Sequence, residues 1–405
     1  MREGVKIKGL VVNKQKIDLP IIFILLGLFV FNSFVRQMLF PSPLPYQLNL
    51  FAFFGCLIIA YYKIYGIRLK VENIWLIFGS IILLCLLMMS EIHAGRMFSG
   101  FIKVFVGLVV PLILLYYSIR NKERTIKIVV NVFIVVSLFV VILGVVDLFY
   151  GNIIISRFYT LANDLKYTNM ALSSSRLYSY LGHPLYNAEL FLITFGLNYA
   201  YNDIVKKSHK GDIWIILICM VGIALTMSKS AIALYFLMLC VFYIKNIMYL
   251  IFSLMITAGA YFFGLFDTVI SRFQGSLSTG RNEMWDVVKS SGEVHFHFLW
   301  GSGSDSKYSF SFISEWARAA FEYPFRLFSL EFGILFMIII MVMTFCYPAY
   351  KILRGRKRNL VLFVIFVAVS LHVNIYNGIG TYMDSMYMFC LFGCMIMNLY
   401  KLRES

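Results

Sequence analysis

Residues able to do chemistry gather in three places along the chain. The first runs Ser173-Ser-Ser-Arg176-Leu-Tyr-Ser-Tyr-Leu-Gly182-His183-Pro184-Leu-Tyr-Asn187-Ala-Glu189. Here a Gly-His-Pro turn could hold the Arg176 cation toward a phosphate. Pro184 favours a helix start, which puts Glu189 about two turns inside that helix. A plain structural alternative is a helix start with a snorkelling Arg176 and Glu189 paired to it. The second place is Thr226-Met-Ser228-Lys229-Ser230, a turn whose Lys229 is either a simple connector or a point charge for an anionic group. The third holds Gly280-Arg281-Asn-Glu283-Met-Trp285, Trp300-Gly-Ser-Gly303 and Trp316-Ala-Arg318-Ala-Ala-Phe-Glu322-Tyr-Pro-Phe-Arg326. An arginine four residues from a tryptophan shares its helical face. Guanidinium groups fork onto oxyanions and rings stack on sugars, so this set suits phosphate or saccharide binding. An interfacial helix with an aromatic belt is the alternative for the tryptophans.

Other motifs carry less. His295 and His297 have the alternating spacing that binds metal on a strand, but no third ligand follows at a recognisable distance. The Gly301/Gly303 pair marks a turn, and no Walker motif is present. Neither a metal nor a cofactor is expected. The seven cysteines lie in apolar runs without a CxxC pair, so they read as small hydrophobes.

The elements that must position these residues are apolar throughout. The 405 residues are 60% hydrophobic and 14% charged, and mean hydropathy is +0.81. Soluble domains run nearer half apolar and a quarter charged, and disordered chains are far more polar. Both classes are excluded. Apolar segments fall at roughly 20–36, 48–65, 74–90, 98–118, 126–146, 184–202, 212–227, 230–244, 246–266, 326–349, 360–376 and 382–400. Each approaches the length that crosses a ~30 Å hydrocarbon core as a helix. The fold expected is all-α: a single polytopic membrane domain over 1–405 with about twelve spans.

The net charge of +16 would suggest nucleic acid in a soluble chain. Its placement points instead to topology. With the N-terminus inside, 23 Lys and Arg lie at inner ends, and only Arg36, Arg96, Lys103 and Lys229 lie at short outer ends. The positive-inside rule then puts both termini in the cytoplasm, and no nucleic-acid partner is implied. The first segment reads as a retained signal anchor, since no small-residue cleavage site follows it. Two long segments fall outside: 147–183, and 267–325 ahead of the last three spans. Long loops on a membrane scaffold are usual places for function.

The order of these pieces resembles the O-antigen polymerase (Wzy) and O-antigen ligase superfamily of bacterial membrane glycosyltransferases. The resemblance rests on Arg176 through Gly182-His183-Pro184, Met227-Ser-Lys229-Ser, Gly280-Arg281-xxx-Trp285, Trp300-Gly-Ser-Gly303, and Glu322-Tyr-Pro-Phe-Arg326 ahead of Leu330-Glu-Phe-Gly333. It covers most of the chain. Where the family often has Ser-Arg, this chain has Ser228-Lys229; where ligases carry His-Asn, it has Glu322-Tyr323. The second departure favours a polymerase over a ligase.

The resemblance implies a plasma-membrane enzyme that moves a growing O-antigen or capsule glycan from undecaprenyl diphosphate to a second lipid-linked repeat. A chain-length regulator and a flippase would be its membrane companions. It also implies site roles. Arg176 and Arg281 would hold the diphosphate, with Lys229, Arg318 and Arg326 as lesser contacts. Glu322 would be the base and His183 the alternative. Glu189 and Trp285 would line the substrate site. Transfer to another acceptor, as in a ligase, and a polysaccharide or lipid transporter remain the competing readings.

Overall fold

The computed structural model describes residues 18–40, 48–65, 71–95, 99–244, 280–355, 359–380 and 384–404, with positions 248, 249, 251 and 255. The segment 246–266, the stretch 267–279 and the basic N-terminus therefore lie almost wholly outside the described residues, as do Arg96 and Arg356–Arg358. Among the described residues the chain is all-helical, and the only pairing of extended type is a single bridge between Ser179 and Gly182.

Two helices form the axis. Pro184–Tyr201 has 16 of its residues buried, and Ser385–Glu404 is buried along 89% of its apolar window. Around them stand Val71–His93, Lys122–Phe149 and the chain from Ile334 to Arg354. These outer helices bury only 33–44% of their apolar windows and turn Trp75, Phe78, Ile81, Val135 and Ile142 outward. Large apolar side chains on the outer face suit a lipid surround. Among the described residues, four helices are long and apolar enough to cross a membrane, or five if the bent first pair counts as one.

Pro184–Tyr201 is too polar to meet that hydropathy test, and its interior position explains why. Asn187 receives a hydrogen bond from Ser179 and donates to the Leu177 carbonyl, Thr194 meets Ser137 at 2.8 Å, and Asn198 and Asn202 both donate to Asp212. Buried polar groups that find partners avoid the desolvation cost.

Two expected spans are broken. The first segment bends by 79° between Leu19–Val30 and Ser33–Leu39. Asn32 causes the restart, because its Oδ1 accepts from the amides of Phe34 and Val35 as a helix cap. The expected 326–349 span instead starts at Ile334. The helix Pro324–Glu331 stops before Gly333, whose φ of 94° belongs to the left-handed region. Residues 147–183 are also structured. Their helices Ile153–Leu161 and Leu165–Leu172 fold onto Phe34 through Tyr159 and Tyr167, and Tyr178 packs edge-on against both rings.

The bend in the first segment serves one contact. It delivers Arg36 to Asp384, at the head of the last helix, through two hydrogen bonds of 3.1 and 3.0 Å. Asn49 adds a third at 2.9 Å. The ion-paired side chains are 4% and 6% exposed. Removing one partner of a buried pair strands the other charge. Arg36→Ala or Asp384→Asn is therefore expected to cost about 3–5 kcal/mol in thermal unfolding of the detergent-purified protein. The apolar double variant Arg36→Met/Asp384→Leu should recover most of that loss.

Candidate functional site

Residues 280–325 form a folded unit in which distant motifs meet. Gly280, at φ 82°, turns the chain into the helix Arg281–Ser290. Arg281 Nε donates to Glu322 Oε2 at 2.5 Å. One turn on, Trp285 supports the Arg326 guanidinium, which lies 4.5 Å above its ring and 5.0 Å from that of Tyr323. Arg326 also donates to Asn282 Oδ1 at 3.2 Å and to the Ala320 carbonyl at 3.3 Å. Phe296 stacks on Trp285 and Phe321 meets it edge-on. Two guanidinium groups, one carboxylate and an aromatic floor thus share one patch. Arg281 is 14% exposed and Glu322 41%, so the carboxylate is open to solvent.

A backbone junction ties this unit to the apolar helix bundle. The amides of Ser302 and Gly303 donate to the carbonyls of Leu330 and Glu331, and those of Ile334 and Leu335 donate to His297 and Phe298. A side chain at Gly301 would sit 2.3 Å from the Glu331 backbone, so only glycine fits. Ser90 and Glu91, near the end of their helix, accept from the amides of Gly301 and Ser304. The motif glycines 301, 303 and 333 therefore dock the loop.

The other expected residues lie elsewhere. Arg176 Nε donates to the Thr226 carbonyl at 2.9 Å, and the Leu177 amide donates to Leu225. That places Arg176 on the C-terminal carbonyls of the helix Asp212–Thr226, where a cation is favoured. The following turn, with Met227 at φ 51°, leads through the cap Ser228 to Lys229. Arg176 and Lys229 thus belong to one turn. His183 caps its helix, since its Nδ1 accepts the Leu185 amide at 3.3 Å. Glu189 does not fulfil the arginine-pairing alternative: its Oε2 accepts from the Tyr376 hydroxyl. Among the described residues, its Oε1 and the Tyr186 hydroxyl find no hydrogen-bond partner. Arg318 is exposed on the Ala317–Phe321 turn and lines a cleft of its own.

The sequence did not mark three functional-looking groups. Arg36 and Asp384 form the buried pair described above. His372 is fully buried, with Nε2 3.0 Å from the Leu185 carbonyl and Nδ1 3.2 Å from Ser230 Oγ. A carbonyl only accepts, so Nε2 carries the proton and Nδ1 receives the Ser230 hydroxyl. The only signal in the sequence was one histidine and one aspartate inside apolar runs. No protein-family model matches the chain, and no curated protein matches it in sequence.

Glu331 yields a pH prediction. It lies ahead of the helix that begins at Ile334 and is fully buried. Burial, with Asp305 and Glu91 nearby, pushes its carboxyl up from 4.5 to about 8, although the Lys307 charge and a backbone hydrogen bond from Asp305 oppose the rise. The folded state then holds the proton more tightly than the unfolded state. This group's stabilisation is complete below pH 4.5, falls as pH rises, and is lost by about pH 8. Limited proteolysis of the loop should accelerate across that window, and Glu331→Gln should flatten the profile.

Proposed function

We propose that the chain is a bacterial plasma-membrane polysaccharide polymerase, transferring a growing glycan from undecaprenyl diphosphate to a lipid-linked repeat unit. In this reading about twelve spans cross the bilayer, both termini are cytoplasmic, and the two long loops face outside. The observation that carries the reading is the patch of Arg281, Glu322, Trp285 and Arg326. It assembles cations for a diphosphate, a carboxylate for a proton and rings for a sugar from motifs about forty residues apart.

The chemistry needs little more. The acceptor hydroxyl oxygen bonds to the donor's anomeric carbon as the bond to the diphosphate oxygen breaks. Undecaprenyl diphosphate leaves with the electron pair, and the hydroxyl proton passes to a base. Positioned guanidinium groups stabilise the departing charge. The Arg281–Glu322 ion pair adds a coupling between the two tasks. A diphosphate competes for Arg281, and its arrival frees the Glu322 carboxylate to accept the proton.

A transporter is the second reading, favoured by a different observation. The broken first helix, the buried Arg36–Asp384 pair and the half-satisfied Glu189 are features of discontinuous, ion-coupled membrane sites.

Arg281→Ala should abolish polymer while the protein still accumulates in the membrane; normal polymer length would remove Arg281 from the site. Glu322→Gln should slow transfer by about 10²–10⁴-fold, the usual span for a lost general base. Near-normal rates would move that role to His183.

A further inference from the structure

A second cationic place lies on the exterior unit, in a different part of the large loop from Arg281. Lys307, Tyr308, Ser311, Glu315 and Arg318 line an open cleft of about 270 Å³. The 3-10 turns Ser306–Phe312 and Ala317–Phe321 supply four of the five lining residues, so the cleft is held by short rigid elements. The Lys307 ammonium lies 5.5 Å above the Tyr308 ring. Lys166, on the helix Leu165–Leu172 of the first external loop, approaches the same charges. Loss of water around it lowers its pKa first, the Arg318 and Lys307 charges add to that, and Asp164 opposes them. Lys307 and Arg318 line the cleft itself, and Lys166 feels both charges from the other loop.

The two lining cations outnumber the one lining carboxylate, so the cleft offers charge-assisted contacts to an anionic group. The lining also contains a carboxylate, a serine hydroxyl and a flat phenol ring. Glu315 and Ser311 can accept from sugar hydroxyls, and Tyr308 offers a face for a pyranose ring. A carboxylate in the cleft would repel an anionic lipid surface but suits a ligand carrying both hydroxyls and a negative group. We propose that this cleft is a subsite for an acidic sugar residue, a uronic acid or its equivalent, of the glycan being handled. The identification of the ligand as a glycan rests on the polymerase reading; its acidic class rests on the cleft.

Binding to the full-length protein in nanodiscs tests this, with oligogalacturonate as the probe and its methyl ester as the uncharged control. Oligogalacturonate should bind and the ester should not, with affinity falling as salt rises. Lys166→Gln, Lys307→Gln and Arg318→Gln should each weaken binding about tenfold, as loss of a charge-assisted contact does. Arg318→Lys should retain part of the affinity, and thermal midpoints should be unchanged. Equal binding of the ester, or undiminished binding by the triple Gln variant, overturns the proposal. So does a cleft that binds phosphatidylglycerol vesicles in place of the oligosaccharide. Charge-dependent binding without any glycan elongation would remove the polymerase reading and leave the subsite. Elongation without charge-dependent binding would do the reverse.

Discussion

Polar side chains in a bundle with apolar outer faces must be satisfied inside it, and the pairing of Arg36 with Asp384 is where that constraint acts most strongly. Asp384 is bound by Arg36 and Asn49 at the head of the buried last helix. The pair joins residues 348 positions apart, so it fixes the first helices against the last. The 79° bend at Asn32 exists to bring Arg36 there. The same constraint draws Asn187, Glu189, Thr194 and Asn198 to the inward helix Pro184–Tyr201. Reorienting that helix would strand several polar groups at once.

The scaffold so fixed carries the folded unit of residues 280–325. The Gly301–Gly303 and Leu330–Gly333 segments lock by backbone hydrogen bonds, which glycine alone permits at this spacing. The lock sets where the helices Arg281–Ser290 and Pro324–Glu331 lie, and so where Arg281, Glu322, Trp285 and Arg326 meet. Functional groups on short helices pinned to a membrane bundle are better positioned than groups on a free loop. The Arg176–Thr226 contact does the same for the Lys229 turn.

Much of this could be read from residues and spacing. Apolar runs gave most helix positions to within a few residues, because a long run with few charges has few other structures open to it. The Arg281–Trp285 and Glu322–Arg326 motifs stood out by residue type, and the structure brings them into contact. The bend at Asn32 was not, because one polar residue in an apolar run reads as tolerated. The stop before Gly333 was missed for the same reason. Asp384 and His372 escaped notice because their partners lie far along the chain and one sequence carries no pairing information. Arg176 and His183 were read as chemistry, yet each makes a helix-end contact that accounts for its position. Glu189 was recognised as expensive, but its partner Tyr376 could not be foreseen.

The central claim is that the cationic exterior patch passes a glycan between lipid diphosphates. Its most direct test is the purified chain in liposomes with a purified undecaprenyl-diphosphate-linked repeat and no ion gradient. The account predicts lipid-linked products of increasing length, with free undecaprenyl diphosphate released in proportion. Repeats that stay single, yet cross the bilayer when a gradient is imposed, would contradict it.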